Sequence, residues 1–139
     1  MLAGEGIVLG KLLDAAIRVL AGQGARGLTH RAVDVEAGVP IGTASNYFRS
    51  RDRLVTEIFE RISERLQPDP EVQRELAARP AGHDLFADYV RDIVARLSRE
   101  RDVTLALFEL RLESTRNPQI RQRLSEWADA GFAADVEFN

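Results

Sequence analysis

Residues 28–54 read Leu28-Thr-His-Arg-Ala-Val-Asp-Val-Glu-Ala-Gly-Val-Pro-Ile-Gly-Thr-Ala-Ser-Asn-Tyr-Phe-Arg-Ser-Arg-Asp-Arg-Leu54. Thr29 is placed as the N-cap of a short helix over 29–36, and Leu28 and Val33 flank it in the positions of a hydrophobic staple. Gly38 follows Ala37 where a left-handed turn residue is wanted. Val39-Pro40 then opens a second short helix over 40–47, with proline tolerated in a first turn whose N–H lacks a helical partner. Ser50 caps a longer helix, and Asp52 sits in its first turn near the positive end of the dipole. Two short helices joined by a glycine turn have helix-turn-helix geometry. Ala32, Val33 and Val39 are small or branched enough for the two to pack closely. Helix 40–47 then presents Thr43, Ser45 and Asn46, side chains that hydrogen-bond base edges in a major groove. Thr29, Arg31, Tyr47, Arg49, Arg51 and Arg53 flank it within reach of phosphates. The amide groups opening helix 29–36 also suit a phosphate. His30, just after the cap, is expected to be exposed.

Outward from this segment the pattern is helical throughout, with apolar residues at a 3.6-residue period and no strand alternation. Leu9, Leu13, Ala16, Ile17 and Leu20 form one face of a helix that Gly22-Gln-Gly24 is expected to end. Downstream, Leu54, Val55, Ile58, Phe59, Ile62 and Leu66 form the buried stripe of the helix begun at Ser50. Pro68-Asp-Pro70 is a stiff break and marks a domain boundary. A short helix over 71–78 follows, then one over 83–98 expected to bury Leu85, Phe86, Tyr89, Val90, Ile93, Val94 and Leu97. Asp84, Asp88 and Asp92 lie opposite that stripe and read as a solvated outer face. Helix 102–116 has two apolar faces, Leu105/Phe108/Leu112 and Val103/Leu107/Leu110, which predicts a central position between neighbours. After Asn117-Pro118, a last helix carries Ile120, Leu124, Trp127, Ala128 and Phe132. The stripe is still in phase at Val136, so the protein is expected to continue beyond this chain. The fold class is all-α. A three-helix head (1–49) is joined by a linking helix (50–67) to a helical ligand-binding and dimerisation domain (68–139).

Composition narrows the function classes. The 139 residues include no cysteine, which removes disulfides, thiolate metal sites and cysteine nucleophiles. His30 and His83 are the only histidines. No Glu-x-x-His pair faces inward as bundle metal sites require, and His83 reads as a surface or capping residue. No metal and no cofactor are expected. No nucleophile–base–acid set and no phosphate-cradling glycine loop is found, so no catalytic residue is assigned and the chain reads as a non-enzyme. The net charge of −3 hides an asymmetry. Residues 1–66 carry nine Lys/Arg against eight Asp/Glu, whereas residues 67–139 carry ten against fourteen. Within 26–53 there are five arginines against three acids. The acidity lies in the second half and does not veto a nucleic-acid partner for the first. No apolar run approaches the roughly 20 residues of a membrane span, and the N-terminus lacks the features of a signal peptide. The expected location is the cytoplasm, with no membrane partner.

The pattern Thr29…Arg31-Ala-Val…Ala37-Gly-Val-Pro-Ile-Gly-Thr43…Tyr47-Phe48…Ser50-Arg-Asp52…Leu54 resembles the TetR family of bacterial one-component regulators. Leu13-Asp-Ala-Ala16 is similar to that family's first helix, and the likeness runs to about Leu66. A weaker likeness covers Phe108–Arg121. The resemblance implies a homodimer whose two recognition helices read a palindromic double-stranded DNA operator. It also implies a small-molecule effector that binds the C-terminal domain and alters DNA affinity. Thr29, Arg31, Pro40, Ile41, Gly42, Thr43, Ser45, Asn46, Tyr47 and Arg51 are the DNA-binding candidates. Three positions depart from the family pattern. Ala44 replaces a large aliphatic residue and Ser45 an aromatic one, which reduces apolar anchoring of the recognition helix. Pro40 replaces a serine or threonine, which removes a capping hydrogen bond.

In the second half, Thr104 and Arg111 fall on one polar strip of helix 102–116, and Glu109 and Glu113 on the other. Polar groups on a helix packed on both sides need partners. Ion pairs with neighbouring helices satisfy them, or they line a ligand pocket. The pocket candidates are Phe86, Tyr89, Thr104, Phe108, Arg111 and Trp127. The competing reading of the whole chain is a helical ligand-binding or protein-interaction module whose DNA-reading head has degenerated, as Ala44 and Ser45 suggest.

Overall fold

The computed structural model describes residues 3–138, with side chains described over 4–131. Among these residues there are eight helices and no strand. They are α1 (Ala3–Gly27), α2 (His30–Ala37), α3 (Thr43–Tyr47), α4 (Arg51–Arg65), α5 (Pro70–Ala77), α6 (His83–Arg99), α7 (Arg101–Ser114) and α8 (Pro118–Phe138).

The central helix is α1, not the helix expected from its two apolar faces. From Leu12 to Leu20 only Asp14 and Arg18 escape full burial. Here α1 packs against α2 and α4 on one side and α7 on the other. By contrast α7 is buried along one face, at Val103, Ala106 and Leu110. Its second face stands open: Phe108 is 55% exposed and Leu112 57%. One hydrophobic cluster therefore runs from α1 through Leu28, Val33, Phe48, Ile58 and Ile62 to Leu110 and Ile120. The α1 helix is also longer than its apolar stripe. Its break falls at Gly24, where φ is 74° and ψ −178°, and a last helical turn follows the break. Leu28 N–H closes that turn on Ala25 O at 3.2 Å.

Arginine–carboxylate pairs tie α4 to the body. Arg61 donates Nε and Nη2 to the two oxygens of Asp14 on α1, at 2.8 and 2.9 Å. Arg65 reaches Asp14 at 3.3 Å and Glu100, between α6 and α7, at 2.6 Å. Arg123 on α8 donates to Asp52 in the first turn of α4, at 2.8 Å. Burial raises the Asp14 carboxyl, but hydrogen bonding to Arg61 and the charges of Arg61, Arg65 and Arg18 outweigh it and hold the group below its ordinary value. The hydrogen bond from Arg123 likewise lowers Asp52, against a smaller effect of burial.

The α6 helix fully buries neither side: Leu85, Tyr89 and Leu97 of the expected stripe are half-buried, and so are Asp88 and Asp92 opposite them. Phe86, Val90, Ile93 and Val94 are exposed, from 41% to 67%. The acidic side turns toward α5 instead: Asp88 pairs with Arg79, and Asp92 with Gln73 and Arg96. Arg96 also donates to Leu66 O at 2.6 Å, so the end of α4 draws the polar side of α6 inward. Asp84 is exposed. Phe132 and Val136, expected to prolong the last stripe, lie outside the described side chains.

Candidate nucleic-acid interface and effector groove

The α2–α3 unit is built from local rules. Thr29 Oγ1 accepts from Ala32 N–H at 3.0 Å and starts α2. Gly38, at φ 68°, ends it, and its N–H bonds back to Val35 O at 3.1 Å. Pro40 and Ile41 lie in the turn, not in the helix expected to begin at Pro40. The first residue of α3 is Thr43, because Gly42 adopts φ 103° and serves as its N-cap. The hydroxyl of Thr43 donates back to Pro40 O at 2.6 Å.

Side chains sort cleanly on α3. Ala44 and Phe48 are buried against the core, whereas Ser45, Asn46 and Tyr47 face outward and Thr43 is half-buried. Pro40, Ile41, Thr29, Arg31 and Arg49 are exposed around them, and Gly42 is half-buried. Ile41 is an apolar contact surface at 60% exposure.

Three head residues stand differently from expectation. Arg51 is exposed, but its guanidinium is engaged with backbone: Nη1 donates to Leu28 O and Nη2 to Ala25 O, the latter at 2.9 Å. Carbonyls at the end of α1 point toward the start of α4, and Arg51 there supplies a cation to them. Arg53 pairs with Glu57 at 2.6 Å. His30 is half-buried, not exposed, and its Nε2 lies 2.7 Å from Phe48 O. One residue was not assigned a role by its pattern. Asp34 is 1% exposed and accepts from Gly42 N–H at 2.8 Å and Ala44 N–H at 2.7 Å. The signal was present in the missing cap at Pro40: something else had to satisfy the amides that open α3.

The six pocket candidates do not converge. Trp127 packs on Phe59, with ring centroids 5.6 Å apart, and donates to Ser63 Oγ. Thr104 donates to Leu97 O at 2.7 Å and lines a shallow notch of about 280 Å³ between α6 and α7. Phe86, Phe108 and Arg111 are exposed and Tyr89 is half-buried. The physical reason is that part of the apolar side of α6 stands open, which leaves Phe86 outward. A larger groove, about 560 Å³, lies between α4 and α8. Phe59 and Trp127 wall it, and Glu60, Arg123 and Glu126 line it with Thr56 and Ser63. No group of three or more potential metal ligands is found among the described residues. No helix among them is long and apolar enough to cross a membrane.

An outward polar helix on an apolar scaffold, joined through α4 to a helical body, defines a helix-turn-helix regulator. Residues 12–58 match the profile of bacterial regulatory proteins of the tetR family. Residues 81–139 match the tetracyclin repressor-like C-terminal domain. A solved member of the TetR family from Streptomyces coelicolor A3 is 32% identical, with a TM-score of 0.62 over 86% of this chain and 68% of that one. The multidrug binding protein EbrR complexed with ethidium is also 32% identical, with a TM-score of 0.62 over 91% of this chain and 74% of that one. EbrR complexed with imidazole gives 32% and 0.60, over 86% of this chain and 62% of that one. This chain thus spans about two-thirds of the length of these proteins. No curated protein sequence matches it. The chain belongs to the TetR family of regulators.

Proposed function

We propose that the protein is a ligand-responsive transcriptional repressor that binds a palindromic operator as a homodimer. The observation that carries this reading is the division of α3, with Ala44 and Phe48 held in the core and Ser45, Asn46 and Tyr47 turned out. In this reading residues 1–49 grip DNA, 50–67 link, and 68–139 sense ligand and dimerise. Asn46, Ser45 and Thr43 read base edges; Thr29, Arg31 and Tyr47 hold phosphates; Pro40, Ile41 and Gly42 set the approach of α3. Half-sites for such a dimer lie roughly 34 Å apart, so a modest change in the separation of the two heads breaks register.

The effector site of this reading is the groove between α4 and α8. It is walled by aromatic rings, and Glu60 gives it an acidic edge while Glu126 is paired with Arg123 at 3.0 Å, a combination suited to a flat organic cation. The ethidium complex of EbrR supports that class of ligand. Arg123 borders the groove and holds Asp52 at the start of α4, so an occupant that shifts α8 pulls on the helix next to the reading head. The coupling requires different ligand affinity in the two states.

Selection of bound duplexes from a random pool tests the DNA reading. The expected product is a palindrome, with affinity that falls steeply as salt rises. Failure to retain any duplex at low salt would overturn it in favour of an interaction module. Trp127 is the only tryptophan, so its fluorescence reports on the groove. Ethidium should quench it and lower affinity for the selected duplex. Unchanged emission at saturating dye removes the groove as the effector site.

A further inference from the structure

We infer that His30 and Asp34 form a two-point clamp through which α2 fixes the pose of the reading helix. They are the positioning residues for base recognition. The inference rests on the DNA-reading function proposed above.

The need for such a clamp follows from α3 itself. It has five residues, far below the length at which a helix is stable alone. Its N-cap is Gly42, which offers no side-chain oxygen, and Pro40 supplies none either. Only Ala44 within α3, and Phe48 just beyond it, anchor it in the core. Such a helix can pivot about one small and one large apolar contact. The polar contacts remove that freedom. At the N-terminal end, Asp34 Oδ2 accepts from Gly42 N–H and Oδ1 from Ala44 N–H. Charge-assisted bonds of this kind are the stronger class, and a carboxylate buried this deeply is costly without them. At the other end, His30 Nε2 donates to Phe48 O, just past the last turn. His30 and Asp34 stand four residues apart on α2 and so share one face. One rigid edge thus holds both ends of α3 and sets its tilt, while Ser45, Asn46 and Tyr47 project from the side it leaves free. Reading base edges depends on that tilt more than gripping phosphates does.

The test uses the full chain and a selected duplex beside a scrambled one. Asp34→Asn keeps the shape but puts an NH₂ group against one backbone N–H. It should weaken binding to the selected duplex about tenfold or more, the loss expected from one broken charge-assisted bond. Binding to scrambled duplex and the salt slope should hold. His30→Phe should behave likewise and His30→Gln, which keeps a donor, should retain specificity. In Asp34→Ala, adding Pro40→Ser should restore much of the lost discrimination, because a serine there can cap the opening amides. Amide exchange at Gly42 and Ala44 gives an independent reading: both should exchange at least tenfold faster in Asp34→Asn. The clamp is overturned if Asp34→Asn keeps the base preferences and amide protection of the native chain. It is also overturned if specific and non-specific binding fall in equal proportion, since that reports loss of fold alone. If the native chain binds no duplex, the DNA reading fails separately, and amide exchange still decides whether the clamp holds α3.

Discussion

Arg51 shows how far a single side chain can depart from its sequence context. It sits among Arg49, Arg53 and the reading helix, and its surroundings on paper are those of a phosphate contact. Its partners, Ala25 O and Leu28 O, are 26 and 23 residues away, a distance no local pattern reveals. Arg51→Ala should therefore lower stability, by about 1–3 kcal/mol for two lost charge-assisted hydrogen bonds to backbone carbonyls. Thermal unfolding should shift down, while the salt slope of DNA binding stays as it is. Arg31→Ala should do the opposite: stability holds, binding to all sequences weakens, and the salt slope falls by about one. Asn46→Ala should cost about 1–3 kcal/mol on the selected duplex only and relax the preference at one base pair. Salt titrations of the three variants separate these roles. If Arg51→Ala flattens the slope as Arg31→Ala does, its carbonyl contacts are incidental.

At the scale of elements, what the sequence discloses depends on how local the determinant is. Thr29, Gly38 and Ser50 each mark a helix terminus, because cap and helix lie within a few residues of each other. The open apolar side of α6 was not legible. Its apolar stripe and its Asp88/Asp92 side are each well formed, and the choice between them is made by Arg79, Gln73 and Leu66 O on other elements. The central role of α1 was hidden for a related reason: Ala15 and Val19 look incidental in the sequence, yet both are buried once other helices pack around α1. The two punctuating glycines differ in a way that can be measured. Gly38 is in the left-handed helical region with open space at its Cβ, so Gly38→Ala should cost about 1–2 kcal/mol of backbone strain. Gly24 combines φ 74° with ψ −178°, a region nearly confined to glycine, and an added Cβ would meet Glu109 Oε2 at 3.1 Å. Gly24→Ala should cost more, about 3 kcal/mol, and should loosen the contact of α1 with α7. Urea midpoints of the two variants check the ranking; equal midpoints would mean that the chain re-forms the break elsewhere.

Across the whole molecule, apolar packing joins the reading head to the sensor body, and three carboxylates with arginine partners tie helices between and within them. Asp14 links α1 to α4, Asp52 links α4 to α8, and Asp88 links α6 to the segment after α5. All three carboxyls are held below the ordinary value of 3.8. For Asp88 the hydrogen bonds from Arg79 and then Arg91 are responsible. A carboxyl whose folded value lies below its unfolded one binds fewer protons when folded. Its contribution to stability is complete above the unfolded value and disappears as pH falls through the folded one. Stability should thus be nearly flat from neutrality to about pH 5 and decline below about pH 4. Asp52 and Asp88 are half-buried, but their arginine partners are a third or more exposed, and such pairs contribute little. Asp14 is the exception, since it takes a bidentate Arg61 and a second arginine at the junction of α1 and α4. Asp14→Asn should cost about 1 kcal/mol at neutral pH and progressively less as pH falls below the ordinary carboxylate value, where the unfolded chain takes up a proton first. Denaturant midpoints of the two chains plotted against pH should converge on the acid side. Curves that stay parallel would show that Asp14 acts through packing, and that charge does not hold α4 to α1.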